Sequence, residues 1–191
     1  MQVINLFNCP IIINKLKLNS KEIEKECIRL NKKSKKIKNR SGVGGDQVDI
    51  PKTNIIFNKL EKEINIKLKE ISINNMELVK ETKLNNMWFC INRYKDFNKP
   101  HTHPFSILSG VYYVKVPKNS GRIVFKNNNL IDNFLHQNYI KNFNTNNSSE
   151  WFMQPEENML YIFPSWVTHY VEPNLSKEDR ISIAFNAGFD I

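Results

Sequence analysis

The stretch 106-SILSGVYYVKVPKNSGRIVF-125 decides the class of this protein. Two runs rich in β-branched and aromatic residues, 106–116 and 121–125, flank 117-PKNSG-121, whose Pro, Asn and Gly are turn chemistry that suits a hairpin. Working outward, the same composition recurs in 88-WFCINRY-94, 151-WFMQ-154, 159-MLYIF-163 and 180-RISIAFN-186, again bounded by Pro, Gly and Asn. Strands this short and numerous, with no helices between them, predict a sandwich or barrel rather than a parallel α/β sheet. The polar, Asn-rich stretch 126–150 reads as an insertion or loop able to act as a lid.

Upstream, residues 1–83 are Lys-, Glu- and Ile-rich and follow a helical period. Asn19 with Glu22 makes a helix start, and Ile23, Cys27 and Leu30 repeat on one helix face. After Pro51, the residues Phe57, Leu60, Ile64, Leu68 and Ile71 form a second apolar stripe. Both helices are expected to cover a sheet. The segments 3-VINLF-7 and 11-III-13 resemble a short edge strand or pair, and 41-SGVGGD-46 a turn. The division is therefore an N-terminal helical support region, 1–83, packed on a β core, 84–191, as one structural domain. A sheet edge left open can pair across a homodimer.

The length of 191 residues fits one domain, and 40% apolar residues is ordinary for a globular chain. No apolar run is long enough to span a bilayer. The N-terminal MQVINLFNCPIII lacks a basic region and a cleavage site, so no signal peptide is expected. Cys9, Cys27 and Cys90 are scattered and odd in number, which argues against a disulfide framework or zinc knuckle and fits a reducing cytoplasm. The formal charge of +9 is concentrated in 31-NKKSKKIKNR-40 without interleaved aromatics. Base stacking needs such rings, so nucleic-acid binding is not the expected main role, although that run could dock an acidic substrate.

Three of the four histidines suit a single metal site. In 101-HTHP-104, alternate residues of an extended segment project to one side, so His101 and His103 can converge on one ion. His169, in 164-PSWVTHYVEP-173, follows a strand ending at Pro164 and supplies the third imidazole. Neutral imidazole suits Fe, Zn, Cu or Ni, and three protein ligands leave positions open for catalysis. On spacing alone, H-x-H is as often a hydrogen-bonded pair as a ligand pair. His136, in the polar loop, is read as solvated and without a role.

The wider pattern is similar to the double-stranded β-helix oxygenases that use Fe(II) and 2-oxoglutarate, especially their prolyl-hydroxylase-like branch. That family carries H-x-D/E, a strand, a distal His, and an Arg about ten residues later. His101, 109-SGVYYV-114, 121-GRIVF-125, 160-LYIFPSWVTHYVEPN-174 and 180-RISIAFN-186 follow this order, with Arg180 eleven positions after His169. The run of HTHP, SGVYYV, FPSW, H-x-V-x-P-N and R-I-S-x-x-F-N resembles a microbial and phage group of 2-oxoglutarate oxygenases. It covers about 88–187, with a weaker echo in 3-VINLFNCPI-11 and 44-GGDQ-47.

The resemblance implies a mainly β fold with N-terminal helices, a double-stranded β-helix of the jelly-roll or cupin-like kind. It implies Fe(II) and 2-oxoglutarate as cofactors, and O2 with an unidentified primary substrate that is hydroxylated as 2-oxoglutarate goes to succinate and CO2. The 2-oxoglutarate site would comprise Arg180, whose planar fork meets a carboxylate bidentately, with Ser182, Tyr113 and Asn92. Of Tyr112 and Tyr113 only one can face the cavity. Tyr94 is a candidate for the substrate mouth.

This sequence departs from the family at one ligand. His103 stands where Asp or Glu is usual, so either it ligates or it sits outside the ligand set; the spacing of Asp96 does not support it as a replacement. The departure keeps two alternatives open, a three-His cupin-type dioxygenase or zinc enzyme and a non-catalytic jelly-roll binding protein.

Overall fold

A computed structural model of the chain describes residues 1–2, 9–33, 41–128 and 135–189. The expected strand at 3–7, most of the basic run 31–40 and part of the 126–150 loop lie outside the described residues.

Helix α1 (Ser20–Lys33) begins where the sequence says. Asn19 Oδ1 accepts from the Glu22 N–H at 3.3 Å, satisfying one of the donors a helix start leaves unpaired. Its buried face is Ile23, Cys27 and Leu30. Helix α2 (Asn58–Glu70) is led in by a tight turn over Ile55–Phe57 that Asn54 caps, and a wider π turn, Ile71–Asn75, ends it. The stripe Phe57, Leu60, Ile64, Leu68 and Ile71 is at most 4% exposed throughout. Each such side chain contributes roughly 1.5–3 kcal/mol of burial before chain entropy is counted.

Those helices pack on one face of a six-stranded antiparallel sheet. Its order is β1 (Ile12–Lys15), β9 (Met159–Pro164), β6 (Leu108–Lys115), β11 (Arg180–Gly188), β4 (Lys83–Asn92) and β3 (Asp46–Asp49). A second, five-stranded sheet runs β2 (Gly42–Val43), β5 (Phe97–His101), β10 (His169–Val171), β7 (Ile123–Lys126) and β8 (Glu150–Met153). Two antiparallel sheets with this order form the jelly roll, so the double-stranded β-helix expected from the sequence is the fold observed.

Alternation divides each central strand between two environments. On β11, Ile181, Ile183 and Phe185 face the helices, while Arg180, Ser182, Ala184 and Asn186 face a cavity between the sheets. On β4, Phe89 and Ile91 face the helices, and Trp88, Cys90 and Asn92 the cavity. Tyr112 joins the helix-side core and Tyr113 the cluster between the sheets with Ile123, Phe125, Tyr161, Phe163 and Val167. Gly110 gives Phe185 its place: a Cβ there would lie 2.3 Å from Phe185 Cζ.

The structure corrects one expectation about connectivity. The 117–121 turn forms, with Ser120 N–H donating to the Pro117 carbonyl and Asn119 and Gly121 at positive φ, but it is no hairpin. β6 already has β9 and β11 as neighbours, so β7 crosses to the other sheet. Gly121 allows the crossing, since a Cβ would sit 2.4 Å from the Glu172 carbonyl oxygen. Strands β2, β3, β5 and β10 were not predicted as strands: they are short and carry no apolar alternation. Three strands, β1 to β3, come from before residue 83 and join both sheets. Among the described residues, no helix is long and apolar enough to cross a membrane.

Candidate metal centre and its cavity

His101 ends β5 and His169 opens β10, and the two are directly paired across the ladder with ring centroids 4.3 Å apart. His169 thus begins a strand of its own, separate from the one that ends at Pro164. His103 lies two residues past β5, where its backbone N–H donates to the Ser165 carbonyl at 2.9 Å. One ligand atom from each of the three rings falls within 4.8 Å of the others.

Backbone carbonyls set the ring orientations. His101 Nδ1 lies 2.7 Å from the Lys99 carbonyl oxygen, and His169 Nδ1 lies 3.0 Å from that of Val167. A carbonyl oxygen only accepts, so both Nδ1 atoms carry the proton and both Nε2 lone pairs are left for the centre. His103 Nε2 reaches within 3.3 Å of His169 Nε2. Burial pushes the His169 pKa down to about 3 and that of His103 to about 4, each helped by His101, and lowers His101 as well. Metal ligation requires neutral imidazole, and burial supplies that state.

Among the described residues, no carboxylate joins the group. Asp96 accepts from the Arg93 N–H at 2.7 Å and packs on Gly44, where a Cβ would be 1.8 Å from its Oδ1. It is absent from the cavity wall.

The rings open on a cavity of about 480 Å³. Arg180, 1% exposed, lines it and donates through Nη1 to the carbonyls of Ser120 and Glu172. No acidic side chain of the described residues pairs with it: Glu178 goes to Lys115 at 3.2 Å. Burial lowers the Arg180 pKa, and Asp96 acts on it without forming an ion pair. A buried guanidinium facing a cavity without a counter-ion is a site for an anion. Around it are Asn92, its register partner on β4, and Ser182, which pairs with Cys90 and Tyr113. Burial also raises the Tyr113 phenol and pushes the Cys90 thiol up to about 12, so both stay protonated.

The three ligand candidates, together with Arg180, Ser182, Tyr113 and Asn92, therefore share one cavity wall. Tyr94 does not: it is 55% exposed on the turn after β4, with Lys95 over its ring. His136 is exposed, capping a short turn through Nδ1. The sequence reading missed Trp88, Cys90, Asn186, Gln47 and Lys99. Counting back by twos from Asn92, or forward by twos from Arg180, reaches the first three. Gln47 and Lys99 had no comparable signal, because they lie on strands too short to show alternation.

Residues 86–186 match a family model described as "Putative 2OG-Fe(II) oxygenase". No curated protein matches the chain. Among solved structures the fold is similar to a prolyl-4-hydroxylase of Pseudomonas putida, with TM-score 0.68 and 15% identity over 94% of this chain and 93% of that one. A viral collagen prolyl hydroxylase from Paramecium bursaria Chlorella virus-1, in a 2-oxoglutarate complex, has TM-score 0.61 and 11% identity over 93% and 94%. HygX from Streptomyces hygroscopicus, with nickel and 2-oxoglutarate bound, has TM-score 0.63 and 10% identity over 93% and 82%.

Proposed function

The chain belongs to the 2OG-Fe(II) oxygenase family, an oxygenase with iron and 2-oxoglutarate as cofactors, and we propose that its own residues divide that chemistry as follows. His101, His103 and His169 hold Fe(II), Arg180 holds the distal carboxylate of 2-oxoglutarate, and the enzyme hydroxylates a C–H bond of a second substrate. The observation that carries this reading is the meeting, in one cavity, of three inward-facing neutral imidazoles and a buried guanidinium with no counter-ion among the described residues.

When bound, iron and 2-oxoglutarate together supply the activation of O2. The protein does the rest. The Lys99 and Val167 carbonyls hold two rings by Nδ1, so each Nε2 needs no reorientation to ligate. Arg180 anchors the co-substrate's far end, with Ser182, Tyr113 and Asn92 able to donate to its oxygens. Three neutral ligands leave both charges of Fe(II) unbalanced by protein, and a dianionic 2-oxoglutarate balances them. Trp88 and Phe163 supply apolar wall that limits water near the metal.

The test is anaerobic Fe(II) titration with and without 2-oxoglutarate, following the weak visible charge-transfer band of the chelate. The band should need both ligands, vanish in His169→Ala, and require far more 2-oxoglutarate in Arg180→Ala. Metal binding with no band at any 2-oxoglutarate concentration would sink the 2-oxoglutarate reading of this cavity and favour a three-His dioxygenase or zinc enzyme; a titration unaltered in Arg180→Ala would sink the assignment of Arg180.

A further inference from the structure

Asn186 closes the R-I-S-x-x-F-N motif, and none of the roles assigned above uses it. It lies six residues beyond Arg180 on the cavity face of β11. Its register partner on β6 is Ser109, which is fully buried. Ser109 Oγ donates to Asn186 Oδ1 at 2.9 Å and lies 2.7 Å from Oγ of the equally buried Ser165. The proton count orients the chain. If Ser165 donates to Ser109 and Ser109 to Asn186, both hydroxyl protons are used; turning the amide over leaves the Ser165 proton without a partner. The Asn186 amide is therefore locked with Oδ1 toward the sheet and its NH2 toward the cavity, with no described residue accepting from it.

The same network reaches the metal centre, because the Ser165 carbonyl accepts from the His103 backbone N–H. Trp88, whose ring lies 6.1 Å from that of His103, occupies the diagonal position to Asn186 across β4 and β11. Diagonal neighbours stand roughly 7–8 Å apart, within reach of one bound group. A flat indole and a fixed double donor thus border the side of the cavity that holds His103. The rest of the wall has one charge sign: Lys99 and Arg180 line it, and no Asp or Glu of the described residues does.

We propose that Asn186 determines specificity for the primary substrate, donating through its amide to a carbonyl or anionic oxygen beside the carbon to be hydroxylated. The substrate class is one that presents such an acceptor and carries no cation at this point, since a cation would be desolvated with no carboxylate among the described wall residues to offset the loss. This inference rests on the iron and 2-oxoglutarate reading for its location.

The experiment uses full-length ¹⁵N-labelled protein loaded with Zn(II), a diamagnetic substitute for iron, and 2-oxoglutarate. The Asn186 side-chain NH2 signals are identified by their loss in Asn186→Asp, and the Trp88 indole signal reports the same region. N-methylacetamide, acetate and methylammonium serve as minimal neutral, anionic and cationic probes. Shifts of the Asn186 pair with the amide, with acetate or with both, but not with methylammonium, are expected; the stronger of the two arms separates a carbonyl from an anionic partner. In Asn186→Asp, read at the Trp88 indole signal, the order should invert, and in Ser109→Ala, where the amide is free to turn, the preference should fall at least severalfold. Methylammonium acting as strongly as N-methylacetamide, or no acceptor shifting the Asn186 pair, overturns the proposal. Cofactor loading is read separately by the charge-transfer band of the iron form, so a protein that fails to load counts against the ligand set and not against Asn186.

Discussion

His101 and His169 are mirror partners: register neighbours on β5 and β10, each with Nδ1 turned to the carbonyl two residues before it. A backbone carbonyl, rather than a carboxylate side chain, meets Nδ1 of each ring. The same backbone pairing that builds the five-stranded sheet presents the two Nε2 lone pairs, while His103 is placed by its hydrogen bond to Ser165.

Because His103 stands outside that ladder, its substitution separates two readings. If it ligates iron, His103→Ala should weaken Fe(II) binding beyond the roughly 10–100-fold typical of losing a partner outside the ligand set. Anaerobic calorimetry measures this, and a loss under tenfold would leave only His101 and His169 as ligands.

Arg180→Gln should raise the dissociation constant of 2-oxoglutarate by roughly 10²–10⁴-fold, the equivalent of about 3–5 kcal/mol for leaving one partner of a buried pair alone. Fe(II) affinity without 2-oxoglutarate should change little. An unaltered 2-oxoglutarate titration of the charge-transfer band would contradict the anchoring role.

Tyr113→Phe removes a hydroxyl that donates to no described residue. Folding stability should hold within about 0.5 kcal/mol, while 2-oxoglutarate binding weakens by roughly tenfold, one net hydrogen bond to a charged acceptor. Denaturant melts and co-substrate titration of the same preparation separate the two effects.

The metal-free protein should lose stability as pH falls from about 7. Burial holds the His169 and His103 pKa values at about 3 and about 4, below the ordinary imidazole value of 6.5 that the unfolded chain resumes. Between those limits the unfolded state binds the extra protons, so stability is complete above about 6.5 and declines toward the folded values. Each such proton contributes a slope of about 1.4 kcal/mol per pH unit at most. Urea unfolding in chelator at pH 7.5 and 5.5 measures it; His169→Phe should flatten the dependence, and an equal slope in that variant would remove His169 as its source.

Gly110→Ala should destabilise the fold by about 1–3 kcal/mol, because the new methyl meets Phe185 Cζ at 2.3 Å and the Tyr161 backbone oxygen at 2.5 Å. A melt within about 0.5 kcal/mol of wild type would show that Phe185 repacks freely.

Much of this was open to inspection in the sequence. The stripes Ile23–Cys27–Leu30 and Phe57–Leu60–Ile64–Leu68–Ile71 mark their buried faces by helical period alone. The strands β4, β6, β9 and β11 declare themselves by aromatic and β-branched runs, the placement of His101, His103 and His169 suits one site, and the family resemblance adds Arg180 to it. Period-2 alternation then dictates that Ser182 shares a face with Arg180, whatever the sheet.

Pairing partners could not be read in the same way. That the 117–121 turn crosses between sheets, that His101 lies opposite His169, and that Ser109 meets both Asn186 and Ser165 are facts of register between strands distant in the chain. Local propensity sets which residues share a face within one strand, because that is a matter of backbone geometry over a few bonds. Which faces oppose one another, and so which imidazoles, amides and guanidinium enclose a cavity, is decided only when the two sheets close around a common core.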